Sequence, residues 1–371
     1  MKKNILMSAA LLTLFAHQVQ AETASSGNSV QIYGLMDAGV TYVSNSSGSK
    51  NVKFDDGIYV PNLLGFKGSE DLGGGVHAIF NLVDQYSLGT GSIIQGNNEI
   101  FGRNAYVGLE SEEFGTVTLG NQYDFMDDAL FFDHDDAAIY VGGLYNFRDG
   151  PFSKIAIPGD PPYAGSFNWD RMADASVTNS IKYASPKFNG FSFGALYGFG
   201  GVAGSFGSNS TVSAGINYGF GTFGMGAAYT DVKSSEAGLG QINVMNWGVG
   251  AHYAFGNWTT SALVTAVRNS ANGGAIAEGE VGALYRFNPA WSLGADYMYM
   301  KGNSYLNNNH AHQVTATLSD QLSKRTAVYV ESVYQRTNAG AQALINGMLN
   351  PTDTSSGPSQ FLARVGLTTR F

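Results

Sequence analysis

From Val30 to Val43 apolar and polar positions alternate with a period of two. One parity holds Val30, Ile32, Gly34, Met36, Ala38, Val40 and Tyr42; the other holds Gln31, Tyr33, Leu35, Asp37, Gly39, Thr41 and Val43. Successive side chains of a β-strand point to opposite faces, so this pattern predicts a strand with one apolar face and one mixed, polar face. The same period returns along the chain. Phe191, Phe193, Ala195, Tyr197 and Phe199 alternate with Ser192, Gly194, Leu196 and Gly198, and Trp291, Leu293, Ala295, Tyr297 and Tyr299 alternate with Ser292, Gly294, Asp296, Met298 and Met300. In both runs the aromatic residues lie near strand ends on the apolar parity. Between Gln360 and Phe371 the alternation leaves Arg364 and Arg370 on the polar parity and Phe371 on the apolar one.

The connections alternate in length. Seven short turns, such as Gly219 to Thr222 and Phe255 to Asn257, are interleaved with eight longer polar stretches, among them residues 44–62, 233–241 and 124–174. Fifteen connections imply sixteen strands. Each strand has roughly the ten residues that a tilted strand needs to cross a bilayer. A soluble β-sandwich would also alternate, but its outer face should be charged, whereas here the second parity is rich in Gly, Ser, Thr and Asn. The fold class expected is therefore all-β: a closed, antiparallel, 16-stranded transmembrane β-barrel.

Composition supports that choice. The 371-residue chain is 44% hydrophobic and only 13% charged, against about 25% charged in an ordinary soluble domain. Its one long apolar stretch lies at the N-terminus, where Lys2 and Lys3 precede Ile5 to Ala16 and Val19-Gln20-Ala21 supplies a cleavage site. Residues 1–21 thus read as a signal peptide that exports the chain, and residues 22–371 as the barrel domain. A net charge of −9 with no basic stripe argues against a nucleic-acid partner. There is no cysteine, and 6 − 1 = 5 histidines remain beyond the signal: His77, His134, His252, His310 and His312. None stands near a nucleophile motif such as G-x-S-x-G, so no enzyme activity is expected. His310 and His312 read as a solvated strand edge, and no cofactor or metal is expected.

The longest connection, 124–174, opens with Asp124, Asp127, Asp128, Asp133, Asp135 and Asp136, six carboxylates in thirteen residues. Such a run predicts a wet, cation-attracting surface.

Val30-Gln31-Ile32-Tyr33-Gly34, Gly65-Phe66-Lys67-Gly68-Ser69-Glu70-Asp71-Leu72-Gly73, Gly102-Arg103-Asn104-Ala105-Tyr106-Val107-Gly108-Leu109, Phe114-Gly115-Thr116-Val117-Thr118-Leu119-Gly120 and Val365-Gly366-Leu367 to Phe371 resemble the general diffusion porins of Gram-negative outer membranes. The resemblance implies a homotrimer in outer-membrane lipid, with the third external loop folded inward to narrow each pore. It also implies a basic wall facing that acidic loop. Lys67 and Arg103 match that wall, whereas Leu63, Asn121 and Ser176 stand where an Arg is usual. The parity of Arg103 is ambiguous, and Arg148 or Arg171 could supply a replacement. Tyr33, Asp37, His77 and Asn81 join the expected pore wall, with Glu280 and Arg286 as further lumen candidates, and Phe371 resembles the assembly signal of outer-membrane barrels. The expected function is passive diffusion of small hydrophilic solutes and ions through a water-filled, cation-preferring channel. The alternative is a channel selective for one small organic solute.

Overall fold

A computed structural model describes residues 28–94, 99–146, 150–152, 169–172, 176–236, 240–345 and 353–371. The expected signal segment, 1–21, lies outside the described residues. Strand segments follow one another as β1 (Ser29–Ser46), β2 (Ser49–Asp56), β3 (Leu63–Gly73), β4 (Val76–Gln85), β5 (Asn104–Ser111), β6 (Gly115–Tyr123), β7 (Ser176–Ala184), β8 (Phe191–Gly198) and β9 (Thr211–Phe220). Then come β10 (Phe223–Glu236), β11 (Gly240–Phe255), β12 (Trp258–Asn269), β13 (Ala275–Arg286), β14 (Trp291–Gly302), β15 (His310–Gln321), β16 (Thr326–Thr337) and β17 (Ser359–Arg370).

All pairings between these strands are antiparallel, and the sheet closes where β1 meets β17, in register from Leu35 opposite Arg370 to Val43 opposite Leu362. The upper half of β1 pairs with β2 and its lower half with β3. Those two segments form one bent crossing, so the seventeen segments make a 16-stranded barrel. Closure leaves no sheet edge in the membrane, which is what lets a β-structure span it.

Two stretches read as loops are strand. Residues 44–62 hold a two-residue turn at Ser47 and Gly48, both at positive φ, followed by β2 and a break at residues 57–62. Likewise β10 and β11 stay paired through Glu236 opposite Gly240. Beyond the bilayer both faces of a strand meet water, so the hydrophobic alternation fades while the hydrogen-bond ladder continues. That is why the polar sequence SNSSGSKNVKFDD concealed a hairpin.

The outer surface carries the apolar parity, with Val30, Ile32, Val40, Phe193, Trp247, Trp258, Leu293 and Val365 all exposed. Its character changes around the barrel. On β8 to β14 it is rich in aromatics, including Phe191, Tyr218, Tyr253, Trp291 and Tyr297; on β1 to β6 it is mainly aliphatic, as in Val52, Val107, Leu109 and Leu119. At the seam, the backbone of Phe371 exchanges hydrogen bonds with Gly34. The Phe371 ring lies over that glycine, where a Cβ would sit 2.4 Å from the ring.

Candidate constriction and channel lining

The connection after β6 folds into the lumen and follows the wall. Its first turn (Asp127–Phe131) packs against β9, β10 and β11, and its next (Ala137–Ile139) against β12 and β13. The wall makes room with glycine. A Cβ on Gly194 would fall 2.1 Å from the Phe125 ring, one on Gly226 2.3 Å from the carbonyl oxygen of Ala129, and one on Gly282 2.4 Å from the Cβ of Ala137. Gly248 and Gly250 face Leu130 and Asp135 at similarly close range. The inward glycines of successive strands therefore form a shallow track in which the loop lies. The remaining contacts are apolar: Phe125, Met126, Ala129 and Leu130 join Val177, Leu196, Ala228 and Leu263 in one buried cluster.

Most of the loop's carboxylates turn toward this wall. Asp124 accepts from the amide of Met126 and from Nε of Arg171 at 2.6 Å, tying the start of the loop to its return. Asp128 pairs with Lys182 of β7, and Asp133 accepts from Asn217 at 3.0 Å. Asp135, fully buried, meets Nδ1 of His252 at 2.7 Å; burial pushes its carboxyl up to about 6, against the opposing pull of the imidazole. Asp136 accepts from the amide of Ala138, capping a short turn, and Asp127 is buried. The six carboxylates thus act largely as docking groups, which is why their run does not build the open acidic surface expected from it.

Across the lumen, the lower part of β1 and strands β3 to β6 carry a half-buried polar wall. Tyr33 donates to Asn81 at 2.8 Å, and Lys67, opposite Asn81 in register, holds its ammonium 5.5 Å from the Tyr33 ring centre. Tyr106 follows on β5, also opposite Asn81. Arg103 lies just before β5, after Phe101 at positive φ; its guanidinium donates to Gln85 and sits 5.6 Å from the Tyr123 ring. That irregular backbone turns Arg103 inward, while Val107 faces out. Tyr123 packs in turn on Phe132 of the loop, with centroids 5.3 Å apart. Leu63 lies opposite Leu35 and Gln85 in register, half-buried on this side. His77 is nearer the short-turn end, between Asp71 and Glu110 in register.

Two expected wall residues sit elsewhere. Asn121 pairs with Ala105 on the parity of Leu119, which faces out, and donates to the carbonyl of Gly102. The irregular register beside it places the extra residue on β7, where Asn179 has positive φ, and leaves the alternation of β6 intact. Ser176 opens β7 opposite Tyr123 rather than joining the Lys67 wall. Arg148 lies outside the described residues.

Asp37 is not an open lumen charge. It is fully buried, accepting from Arg364 at 2.9 Å, from Tyr329 at 2.6 Å and from the amides of Ile58 and Tyr59 in the break between β2 and β3. Arg364 also donates to Thr41 and to the carbonyl of Asp55. The far part of the loop attaches beside this network. The amide of Leu144 donates to Ile58 at 2.7 Å, the Tyr145 hydroxyl lies 2.9 Å from that of Thr41, and Gln313 of β15 donates to the carbonyl of Tyr145. Arg364 and Lys182 could be suspected from their inward parity; the partners they find across the barrel could not.

Below the loop, toward the short turns, a cavity is lined by Tyr59, His134, Tyr140, Arg286, Arg325 and Arg370 among others, with no carboxylate among its lining residues. Glu280, the other lumen candidate, is buried under the loop, where it accepts from the amide of Ala137 at 2.7 Å.

Comparison with known proteins accords with this architecture. A family model described as Gram-negative porin matches residues 8–340. An outer membrane porin protein of Bordetella pertussis is 30% identical over 211 residues, spanning 53% of this chain and 48% of that relative's length. Outer membrane porin protein 32 of Delftia acidovorans is 26% identical over 341 residues, covering 89% and 88% of the two chains. A solved structure, the anion-selective porin from Comamonas acidovorans, superposes with a TM-score of 0.74 at 22% identity over 93% of this chain and all of that one. The closed barrel, the inward loop and the family match agree: this chain belongs to the Gram-negative porins and is a passive outer-membrane channel rather than an enzyme.

Proposed function

We propose that the channel passes small hydrophilic solutes and ions by diffusion, and that it prefers anions weakly rather than cations. The carrying observation is where the charges point. The loop carboxylates expected to attract cations are engaged by Arg171, Lys182, His252 and backbone amides. Lys67 stays on the open wall, and Arg286, Arg325 and Arg370 line the cavity below. A narrow, low-dielectric passage magnifies such an imbalance, which salt then screens. The Comamonas porin that superposes at a TM-score of 0.74 is itself named as anion-selective, which is in keeping with this reading. Zero-current potentials across a KCl gradient should carry the sign of faster chloride, growing at low salt. A potential of the opposite sign would restore the cation preference and sink the proposal.

The same reading includes a homotrimer. Strands β1 to β6 present the aliphatic outer face, without the broad aromatic belt that β8 to β14 turn to the lipid interface. A surface of that kind suits another protomer.

A further inference from the structure

Beneath the inward loop, the cavity on the short-turn side joins a cationic surface to an apolar one. The cationic surface is built by the sheet. Arg325, just before β16, and Arg370 of β17 are direct opposites: the amide of Arg370 donates to the carbonyl of Arg325 at 3.0 Å, and Thr326 faces Thr369 one step on. Side chains directly opposed across a strand pair share a face, and like charges placed so are destabilising. The charge of Arg325 acts on Arg370. Among the described residues, none of Arg286, Arg325 and Arg370 forms an ion pair with a carboxylate. Arg370 donates to the carbonyl of Lys324 and Arg286 to the hydroxyl of Thr259, neither of which carries charge.

The apolar surface interrupts the lumen. Leu35 lies opposite Arg370 in register, and Leu284 precedes Arg286 by two residues on the same face. Their parities otherwise hold Tyr33, Asp37 and Thr41 on β1, and Glu278, Glu280 and Arg286 on β13. Val60 from the break after β2, Ile139 from the inward loop and Ala327 of β16 extend the hydrocarbon. Two rings are held beside it: Tyr59 stacks on Tyr329 with centroids 4.6 Å apart, and the Tyr140 hydroxyl lies 2.6 Å from that of Ser261. Apolar side chains facing a wet passage carry a hydration cost that a bound apolar body removes. The cavity measures about 150 Å³, the size of an apolar protein cavity that takes up benzene.

We propose that this cavity binds a small carboxylate bearing one aromatic ring, an anion the size of benzoate, with its carboxylate across Arg325 and Arg370 and its ring in the apolar part bounded by Leu35, Ile139 and Leu284. The inference rests on the weak anion preference proposed above and narrows it to one class of solute. Guanidinium forks match a planar carboxylate, whereas chloride gains their charge alone.

Current through the folded channel in a planar bilayer, recorded in KCl at pH 7 while benzoate is titrated, tests it. Benzoate should reduce the conductance saturably, with half-block at a concentration at least tenfold below that of acetate, which has the carboxylate without the ring. Benzyl alcohol, which has the ring without the charge, should not block. Arg325→Gln, in an exposed turn, should raise the half-blocking benzoate concentration at least fivefold, and Leu284→Ser should bring benzoate toward acetate while leaving acetate unchanged. Equal block by benzoate and acetate, block by benzyl alcohol, or a parental benzoate titration in both variants would each overturn the proposal. The comparison of the three solutes uses the parental chain and decides even where a variant does not fold. Zero-current potentials in the same bilayer read the ion preference separately. Faster chloride with no benzoate preference would remove the site and leave that reading standing; faster potassium would overturn the reading, and the benzoate titration would still decide the site.

Discussion

Asp135 shows how one buried carboxylate couples the inward loop to pH. Burial among Gly226, Gly250 and the loop backbone raises its proton affinity, and His252 only partly offsets this. Because the seated value, about 6, lies above the ordinary 3.8, seating the loop takes up a proton. The contribution is therefore least favourable above about 6 and improves as pH falls toward 3.8. Asp135→Asn, which keeps the shape and removes the charge, should leave the loop as firmly seated at neutral pH and flatten the pH dependence of unfolding across that window. Unfolding midpoints in detergent, measured at both ends of the window, check it; a variant with the parental pH slope would remove Asp135 from this role. The residue was legible in the sequence as an acid of the loop. Its partner His252, 117 positions away, was not.

At the scale of elements, the docked loop depends on a wall with absent side chains. Replacing Gly282 by Val would drive branched carbons into Ala137, whose Cβ already lies 2.4 Å from a Cβ position on that glycine. Overpacking of this kind typically costs about 1–3 kcal/mol, and the inward loop relieves it by shifting off the wall. Gly282→Val should therefore raise single-channel conductance and its noise while the barrel stays folded. Conductance indistinguishable from the parent would show that the track does not set the loop's position. The sequence showed a second parity rich in glycine, and alternation alone does not say what those glycines accommodate. Strand identity was legible where one face meets hydrocarbon, as in β8 and β14, and lost where both faces are polar, as around the turn at Ser47 and Gly48. Asn121 was misplaced because its lumen role was carried over from the resemblance, whereas alternation from Leu119 already turns it outward.

For the whole molecule, closure, lumen and assembly follow from how the two parities are partitioned. The proposed trimer places the aliphatic sector in contact with protomers and the aromatic sector in contact with lipid. Val107 and Val264 are comparably exposed, at 58% and 49%, but lie in different sectors. Val107→Arg should convert trimer to folded monomer on a semi-native gel, whereas Val264→Arg should weaken the barrel in lipid by up to about 2–4 kcal/mol and leave the trimer assembled. Equal loss of trimer in both variants would dissolve the distinction between the sectors. The break between β2 and β3 carries a further consequence. Ile58 in that break receives Leu144, and Tyr145 reaches both Thr41 on the first strand and Gln313 on β15. These anchor points are spatial neighbours only once the first and last strands have met. A chain caught before the seam closes would thus be a wide, leaky half-cylinder, and the narrow passage would be the last feature to mature during insertion.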